Sequence, residues 1–422
     1  MSPVRPTVRV IGRSLEPEHH RLRDFLTRTA QPYEFLEPGS PEAAALFAEH
    51  GLATQDLPVV VDGNDVYRNA TVALLGEVWD ISTPPSRTHY ELAIVGAGPA
   101  GLAAAVYAAS DGLSTVVIEA DVPGGQASHT SMIENFFGFP DGIGGAELAR
   151  LAGRQAERFG AELVLLRGVV GSTGNASGAP TLEIDGGYEV TADTVIAANG
   201  MEWRRLDVDG VAELLDRGVY YGAGRSEAAR CAGERVVVVG AGNSAGQAVL
   251  HLARAGAKVT MIVRGDQLAT KMSAYLVERI GPNPNVDVRL EANVTAVHAD
   301  GDELGAVTIS DGTGKSEQLR AAALFLCIGG TPRTAWAGGA GVRVNQAGFV
   351  LTGSALLEDG RRPEGWPLDR DPLVLETTIP GLFAAGDLRS GSTKRVAAAV
   401  GEGSMAAALV HRRLEELARG IG

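Results

Sequence analysis

Short apolar runs alternate with amphipathic stretches along the N-terminal part of the chain. The apolar runs predict strands and the amphipathic stretches predict helices, in the order Val8–Ile11 (strand), Pro17–Arg28 (helix), Tyr33–Leu36 (strand), Pro41–His50 (helix), Leu57–Val61 with Asp65–Tyr67 (hairpin) and Thr71–Val78 (helix). This β-α-β-α-β-β-α order predicts a small α/β domain over residues 1–83. The consecutive prolines within Ser82–His89 favour extended backbone, so the pattern predicts a linker at residues 84–88.

The next apolar run, Glu91–Val95, leads directly into the glycine-rich turn Gly96-Ala97-Gly98-Pro99-Ala100-Gly101. A helix of small residues, Leu102–Ala109, follows, and then a further strand, Thr115–Ile118, which ends at Glu119. In such a turn the first glycine makes the tight bend, the second lets backbone approach a diphosphate, and the third allows close helix–strand packing. The acid that follows the second strand is placed to bind a ribose 2′-hydroxyl. The whole unit predicts a dinucleotide site.

A second unit of the same kind begins at Arg235–Val239, which leads into Gly240-Ala241-Gly242-Asn243-Ser244-Ala245. The next predicted strand is Lys258–Val263. The position equivalent to the acid of the first unit is Val263, and Arg264 follows it. An acidic side chain there would repel a 2′-phosphate, whereas an arginine pairs with one. The pattern therefore favours NADPH over NADH, with Lys271 as a further candidate cation.

Charge and hydropathy narrow the classes of partner. The chain has 37 Lys and Arg against 51 Asp and Glu, a formal net charge of −14, which makes nucleic acid and anionic membrane surfaces poor partners. Its 45% hydrophobic and 21% charged content is typical of globular proteins. No apolar stretch is long enough to span a membrane, and the first ten residues lack the apolar core of a signal peptide. We expect a cytoplasmic protein without a membrane partner.

The two cysteines, Cys231 and Cys327, lie far apart in the sequence. They form neither a disulfide framework nor a zinc-binding pattern, so no metal site is expected. A lone buried thiol behaves as a small apolar side chain.

Several further segments resemble the low-molecular-weight thioredoxin reductase family. They are Pro123-Gly124-Gly125-Gln126, Ile133–Pro140 with Glu134-Asn135, Ile196–Gly200, Gly386-Asp387 and Lys394-Arg395-Val396. The resemblance covers residues 90–417 and implies that Gly125, Gln126, Asn135, Gly200, Gly386, Asp387, Lys394, Arg395 and Val396 line FAD. It also implies an α/β fold with two Rossmann-like domains: an FAD domain at 89–202 and 321–422, and an NAD(P)H domain at 203–320 inserted into it. Paired crossings between these domains would allow rotation, and the family implies a homodimer.

The redox cysteines of that family are missing. Its members carry C-A-T-C just before the second nucleotide-binding strand, where this chain has Gly222-Ala223-Gly224-Arg225. The N-terminal domain resembles the thioredoxin/glutaredoxin fold, with Leu57-Pro58 at the position of its cis-proline. There too the C-P-x-C motif is replaced, by Glu16-Pro17-Glu18-His19, which cannot perform thiol–disulfide exchange.

These departures predict an FAD-dependent oxidoreductase in which hydride passes from NADPH to FAD and then directly to an external small-molecule or protein acceptor. Thioredoxin reduction is not expected. His129 is a candidate proton donor beside the flavin, and Arg225 is a candidate ligand for an anionic acceptor. Two alternatives remain open: a ferredoxin or flavodoxin–NADP reductase of the same general type, and a non-catalytic flavin-binding sensor or scaffold.

Overall fold

The computed structural model describes residues 8–173, 180–222 and 226–421. Its α-helices are α1 Pro17–Arg28, α2 Pro41–His50, α3 Val72–Val78, α4 Pro99–Ser110, α5 Gly145–Arg158, α6 Asn243–Arg254, α7 Ala274–Ile280, α8 Ala335–Ala340 and α9 Val396–Ala418. Its strands are β1 Val8–Ile11, β2 Tyr33–Leu36, β3 Val59–Asp62, β4 Asp65–Tyr67, β5 His89–Val95, β6 Thr115–Ile118, β7 Glu162–Val164, β8 Val169–Thr173, β9 Thr181–Ile184, β10 Tyr188–Ala197, β11 Met201–Trp203, β12 Val219–Tyr221, β13 Arg235–Val239, β14 Lys258–Ile262, β15 Val286–Arg289, β16 Ala292–Asp300, β17 Glu303–Asp311, β18 Ser316–Arg320, β19 Ala323–Leu326, β20 Gly330–Pro332 and β21 Leu382–Ala384. Short 3-10 helices cover Thr54–Asp56, Gly125–His129 and Gly353–Leu356.

The N-terminal strands form a four-stranded sheet in the order β2-β1-β3-β4. Strand β1 pairs in parallel with β2 and antiparallel with β3, and β3 pairs antiparallel with β4. The elements lie where the hydrophobic pattern predicts them, because Ile11, Val59 and Val61 point into one small core. The Leu57–Pro58 peptide bond is cis.

The sheet around the first glycine-rich turn has the order β7-β6-β5-β10-β9-β8, with β21 also pairing with β10. Strands β5, β6, β7, β10 and β21 run parallel to one another, which explains why β6 is buried along its whole length. Helices α4 and α9 pack closely, since Gly403 brings α9 against the backbone of Ala100. The small side chains predicted in α4 permit this approach.

The second glycine-rich turn belongs to a parallel five-stranded sheet in the order β12-β19-β13-β14-β15. A separate antiparallel sheet contains β16, β17 and β18. Strand β19 lies between β12 and β13. The family resemblance had instead implied that residues 321–422 belong to the FAD domain. The predicted boundary at 320/321 is therefore corrected, because Leu324 and Phe325 pack in the core of the second sheet.

The chain divides into two compact units. Unit 1 contains residues 1–75, 129–132 and 203–329, and unit 2 contains 76–128, 133–202 and 330–422. Residues up to 75 of the first predicted domain thus lie in unit 1 with the second nucleotide-binding segment, whereas residues 76–83 lie in unit 2. The predicted linker at 84–88 belongs to unit 2, where the backbone and the hydroxyl of Ser86 both donate to the carboxylate of Glu162 at 2.6 Å.

Candidate functional site

The first glycine-rich turn of unit 2 is shaped by a very close backbone approach. A Cβ atom at Gly101 would lie 1.8 Å from the carbonyl oxygen of Gly96, so no larger residue fits there. Helix α4 begins at Pro99 with Gly98 as its extended N-cap residue. The turn therefore presents free backbone N–H groups at a helix N-terminus, which is the arrangement that binds a diphosphate.

Two distant segments pack onto this turn. The backbone N–H of Gly124 donates to the carbonyl of Ala97 at 2.7 Å, and a Cβ at Gly125 would lie 3.4 Å from Gly98. On the other side, a Cβ at Gly386 would lie 3.0 Å from that of Ala100. The predicted FAD residues of the 123–126 and 386–387 segments are thus brought together at one helix terminus.

Glu119 follows β6 and is buried, with 8% of its surface exposed. Its carboxylate accepts hydrogen bonds from the backbone N–H groups of Ala97 at 2.7 Å and Asp121 at 3.0 Å. Burial raises the pKa of Glu119, and these two bonds oppose the shift. Each carboxylate oxygen keeps a lone pair for a ribose hydroxyl, so the geometry suits the role that the sequence predicts.

The start of α9 carries a cluster of charges around Asp387. Lys394 donates to the carbonyl of Asp387 and stands 4.5 Å above the ring of Phe349. Burial raises the pKa of Asp387 and lowers that of Lys394, while each charge opposes the shift of the other. Arg395 is the N-cap residue of α9 and Val396 its first residue. Glu402 accepts from the backbone N–H of Gly386 at 2.7 Å.

A cavity of about 650 Å³ opens beside this turn in unit 2, lined by Gly96, Glu119, Asn199 and Arg333 among others. The buried amide oxygen of Asn199 has no hydrogen-bond partner among the described residues. A glycine-rich turn at a helix N-terminus, a buried acid and an adjoining cavity in one unit fit an FAD molecule. Of the remaining predicted residues, Gln126 donates to the carbonyl of Met201 at 3.0 Å, Gly200 has a positive φ of 62°, and Asn135 is exposed.

The second turn, in unit 1, has the same construction. Gly240 has a φ of +146°, and a Cβ there would lie 2.4 Å from the carbonyl oxygen of Cys327. Helix α6 begins at Asn243, with Gly242 as its extended N-cap residue and Ala245 buried beneath it. Asn243 accepts from the backbone N–H of Ser273 at 2.8 Å, and Ser244 is exposed. This helix terminus fits a second dinucleotide.

Arg264 and Lys271 are both exposed in unit 1. Among the described residues, neither has an ion-pair partner. Arg264 comes two residues after the end of β14, and the two residues before it, Ile262 at the end of the strand and Val263 after it, are buried. A guanidinium in this position could pair with a 2′-phosphate.

Both cysteines are buried free thiols. Cys231 is 1% exposed and Cys327 7% exposed. Burial raises the pKa of Cys231 to about 11 and that of Cys327 to about 12. Such thiols are protonated at neutral pH and are poor nucleophiles. The Sγ of Cys327 lies 3.3 Å from the carbonyl oxygen of Gly222. Arg225, the candidate acceptor ligand, lies outside the described residues.

His129, the candidate proton donor, ends the 3-10 helix that begins at Gly125. Its Nδ1 lies 3.7 Å from the carboxylate of Asp24 on α1, and its ring meets that of Trp203 edge-on, with the centroids 6.0 Å apart. A Cβ at Gly222 would lie 3.3 Å from Trp203 and 3.8 Å from the Cβ of His129. Within unit 1, Trp203 and His129 therefore lie beside the position of the first missing cysteine.

Helix α1 is joined to the second nucleotide-binding segment through Glu227. This carboxylate is fully buried and lies 2.9 Å from Nδ1 of His20, 3.0 Å from the guanidinium of Arg23 and 3.4 Å from that of Arg230. Burial raises the pKa of Glu227, but its positive partners outweigh burial, so that the net shift is downward. The ring of His20 also packs 4.9 Å from that of Tyr220.

Sequence reasoning missed several of these groups. Asn199 stands inside the Ile196–Gly200 motif, where only the glycine was singled out. Glu402, Arg333, Asp24 and Glu227 carry no local signal, because each reaches its site through a contact with a distant part of the chain. Among the described residues, no helix is long and apolar enough to cross a membrane, and no group of His, Cys, Asp and Glu side chains could hold a metal ion.

Comparisons with known proteins agree with this construction. The family model for pyridine nucleotide-disulphide oxidoreductases matches residues 90–403. The chain is 34% identical over 329 residues to thioredoxin reductase of Bacillus subtilis, an alignment that covers 78% of this chain and 96% of that protein. It is 33% identical over 376 residues to mitochondrial thioredoxin reductase 1 of Arabidopsis thaliana, covering 82% and 93%.

Solved structures give the same result. The crystal structure of thioredoxin reductase from T. acidophilum matches with a TM-score of 0.68 and 27% identity, over 78% of this chain and 100% of that one. The Lactococcus lactis thioredoxin reductase structure matches with a TM-score of 0.69 and 26% identity, over 78% and 99%. The chain therefore belongs to the pyridine nucleotide-disulphide oxidoreductase family, in which it is thioredoxin reductase-like, and its cofactors are FAD and NADPH.

Proposed function

We propose that the protein is an FAD-dependent NADPH oxidoreductase that reduces an external acceptor without an active-site disulfide. The observation that carries this proposal is the state of its thiols. Only two cysteines are present, both are buried, and the C-A-T-C position holds Gly222-Ala223-Gly224-Arg225. A dithiol relay requires an accessible thiolate and a resolving partner. Thioredoxin reductase activity is therefore not expected.

In unit 2, the turn at Gly96–Gly101 would hold the FAD diphosphate and Glu119 a ribose hydroxyl. Asp387 would contact the ribityl chain, and the N-terminus of α9 would face the flavin ring with partial positive charge. Lys394 and Arg395 add formal charge at the same helix end. Together the cofactors supply hydride transfer from nicotinamide to flavin, which needs no protein nucleophile.

In unit 1, the turn at Gly240–Ala245 would hold the NADPH diphosphate on the N-terminus of α6. Arg264, with Lys271 as a further cation, would bind the 2′-phosphate. The residue that directly follows β14 is Val263, where the first unit has Glu119. This difference supports the preference, because a carboxylate at that position would repel the phosphate.

His129 is the side chain proposed to hold a proton for an acceptor. Its Nδ1 lies 3.7 Å from the carboxylate of Asp24. The acceptor is a small molecule or a protein, and the active protein is a homodimer, as in thioredoxin reductase-like homologues.

The N-terminal segment has the role of a redox-inactive, thioredoxin-like module. Its β2-β1-β3-β4 sheet order and its β-α-β-α-β-β-α connectivity support the assignment of the fold. At the position of the second redox cysteine, His19 is buried, and its Nδ1 accepts from the backbone N–H of Arg13 at 2.8 Å. Burial lowers the pKa of His19. Its imidazole stabilises the local turn through this hydrogen bond and cannot perform thiol–disulfide exchange.

The proposal is tested by anaerobic reduction with NADPH, followed by a screen of acceptors scored by the rate of flavin reoxidation. Rapid bleaching of the flavin and reoxidation by at least one non-disulfide acceptor are the expected results. Absence of bleaching in protein with bound FAD would favour a sensor and contradict the proposal.

A further inference from the structure

Asn199 presents an unsatisfied acceptor beside the first glycine-rich turn. Its Nδ2 donates to the carbonyl oxygen of Arg333 at 2.7 Å, which fixes the orientation of the amide. Its Oδ1 is buried and accepts no hydrogen bond from the described residues. An orphaned buried acceptor costs free energy, so a native site that keeps one implies a donor that arrives with a ligand.

The neighbours of Asn199 identify that ligand. A Cβ at Gly96 would lie 2.7 Å from the Cα of Asn199, so the amide adjoins the diphosphate turn. Gly96, Glu119, Asn199 and Arg333 line the same cavity. A diphosphate has no proton to donate at neutral pH, whereas the adjoining ribose has hydroxyl groups. The free Oδ1 therefore suits a ribose hydroxyl.

Arg333 supplies a positive charge to the same cavity. Burial raises the pKa of Glu119, and the positive charge of Arg333 opposes that rise. The guanidinium is therefore close enough to interact electrostatically with the carboxylate. Among the described residues Arg333 has no ion-pair partner, and its side chain is exposed. Its backbone is fixed independently, because its N–H donates to the carbonyl of Gly200 at 3.0 Å.

We propose that Asn199 and Arg333 form a clamp on the ribose–diphosphate part of FAD. In this clamp, Asn199 Oδ1 accepts a hydrogen bond from a ribose hydroxyl, and the guanidinium of Arg333 pairs with a phosphate oxygen. The clamp links two segments that are far apart in sequence. Asn199 lies just before β11 and Arg333 just after β20, and these two strands pair with each other. FAD binding therefore ties these two segments together. This inference rests on the proposed FAD site and adds two ligands that the predicted FAD residues do not include.

The test measures FAD and ADP binding to the full-length apoprotein, by quenching of flavin fluorescence and by competition. Arg333→Ala removes the guanidinium but keeps the carbonyl that holds Asn199, and it should raise both dissociation constants about 10- to 100-fold. Asn199→Ala should raise them about 3- to 10-fold. Arg343→Ala is the matched control, since Arg343 pairs with Glu358 and does not line the cavity.

Wild-type affinity for FAD and ADP in both variants would overturn the clamp, and so would a lowered melting temperature of the apoprotein with unchanged affinity. Failure of the wild-type apoprotein to bind FAD would instead overturn the proposed function. The two failures are therefore distinguishable, and neither readout depends on turnover.

Discussion

The guanidinium of Arg23 lies 3.0 Å from the carboxylate of Glu227, which has no exposed surface. Arg23 itself is only 3% exposed and also donates to the carbonyl of Ser14. The pair joins α1 to the segment that precedes β13. Because both ions are withdrawn from water, the loss of Arg23 leaves the buried carboxylate with only His20 and Arg230 as partners.

Replacing Arg23 with methionine should lower the free energy of unfolding of unit 1 by up to about 3–5 kcal/mol, since Glu227 would lose the nearer of its two guanidinium partners. Urea denaturation, with hydrogen exchange at α1, measures the effect. Arg21→Met is the control on the same helix: Arg21 and its partner Glu18 are both more than half exposed. Such a pair contributes about 0–1 kcal/mol. Equal losses in the two variants would contradict the role of the buried pair.

Lowering the pH should destabilise α1, because it protonates the carboxylate of Glu227. The pKa of this carboxyl is lowered in the folded protein, so its contribution to stability is fully present above the unfolded value of about 4.3 and is lost as the pH falls through the folded value. Hydrogen exchange at α1 should accelerate below about pH 4.3. Glu227→Gln should remove this pH dependence and also destabilise the unit at neutral pH. An unchanged acid profile in that variant would refute the assignment.

Local patterns predicted the N-terminal strands, the strands of the two glycine-rich units and the turns themselves, because these features depend on neighbouring residues. The sheet that contains β19 is determined by tertiary contacts, and so the boundary was placed at 321 rather than at 330. The Asp24–His129 and Asn199–Arg333 pairs form only when distant parts of the chain fold together. The spacing of these residues in the sequence therefore does not predict them.

Arg264→Ala should weaken NADPH binding about 10- to 100-fold and leave NADH binding unchanged, because only NADPH carries the 2′-phosphate. Titration of each nucleotide against the holoprotein measures this difference. Arg320→Ala is the control, since Arg320 is an exposed arginine on the separate β16-β17-β18 sheet. Equal loss of NADPH and NADH affinity would show that Arg264 does not bind the 2′-phosphate.

Glu402→Ala should raise the dissociation constant for FAD at least about 10-fold. Glu402 accepts from the backbone of Gly386 at 2.7 Å and pairs with Arg389 at 2.6 Å, so it holds the segment that carries Asp387. Fluorescence titration of the apoprotein measures the change. Glu415→Ala, at an exposed site on the same helix, should bind FAD as the wild type does. Wild-type affinity in Glu402→Ala would contradict the role of Glu402.

The central claim is that electrons leave the flavin without a thiol relay. Its most direct test is stopped-flow reduction by NADPH, and reoxidation by the acceptor found in the screen, in the cysteine-free variant Cys231→Ala/Cys327→Ala with its FAD content matched to the wild type. The account predicts wild-type rates for both half-reactions. Loss of acceptor reduction with flavin reduction intact, or an intramolecular disulfide trapped in the wild type during turnover, would contradict it.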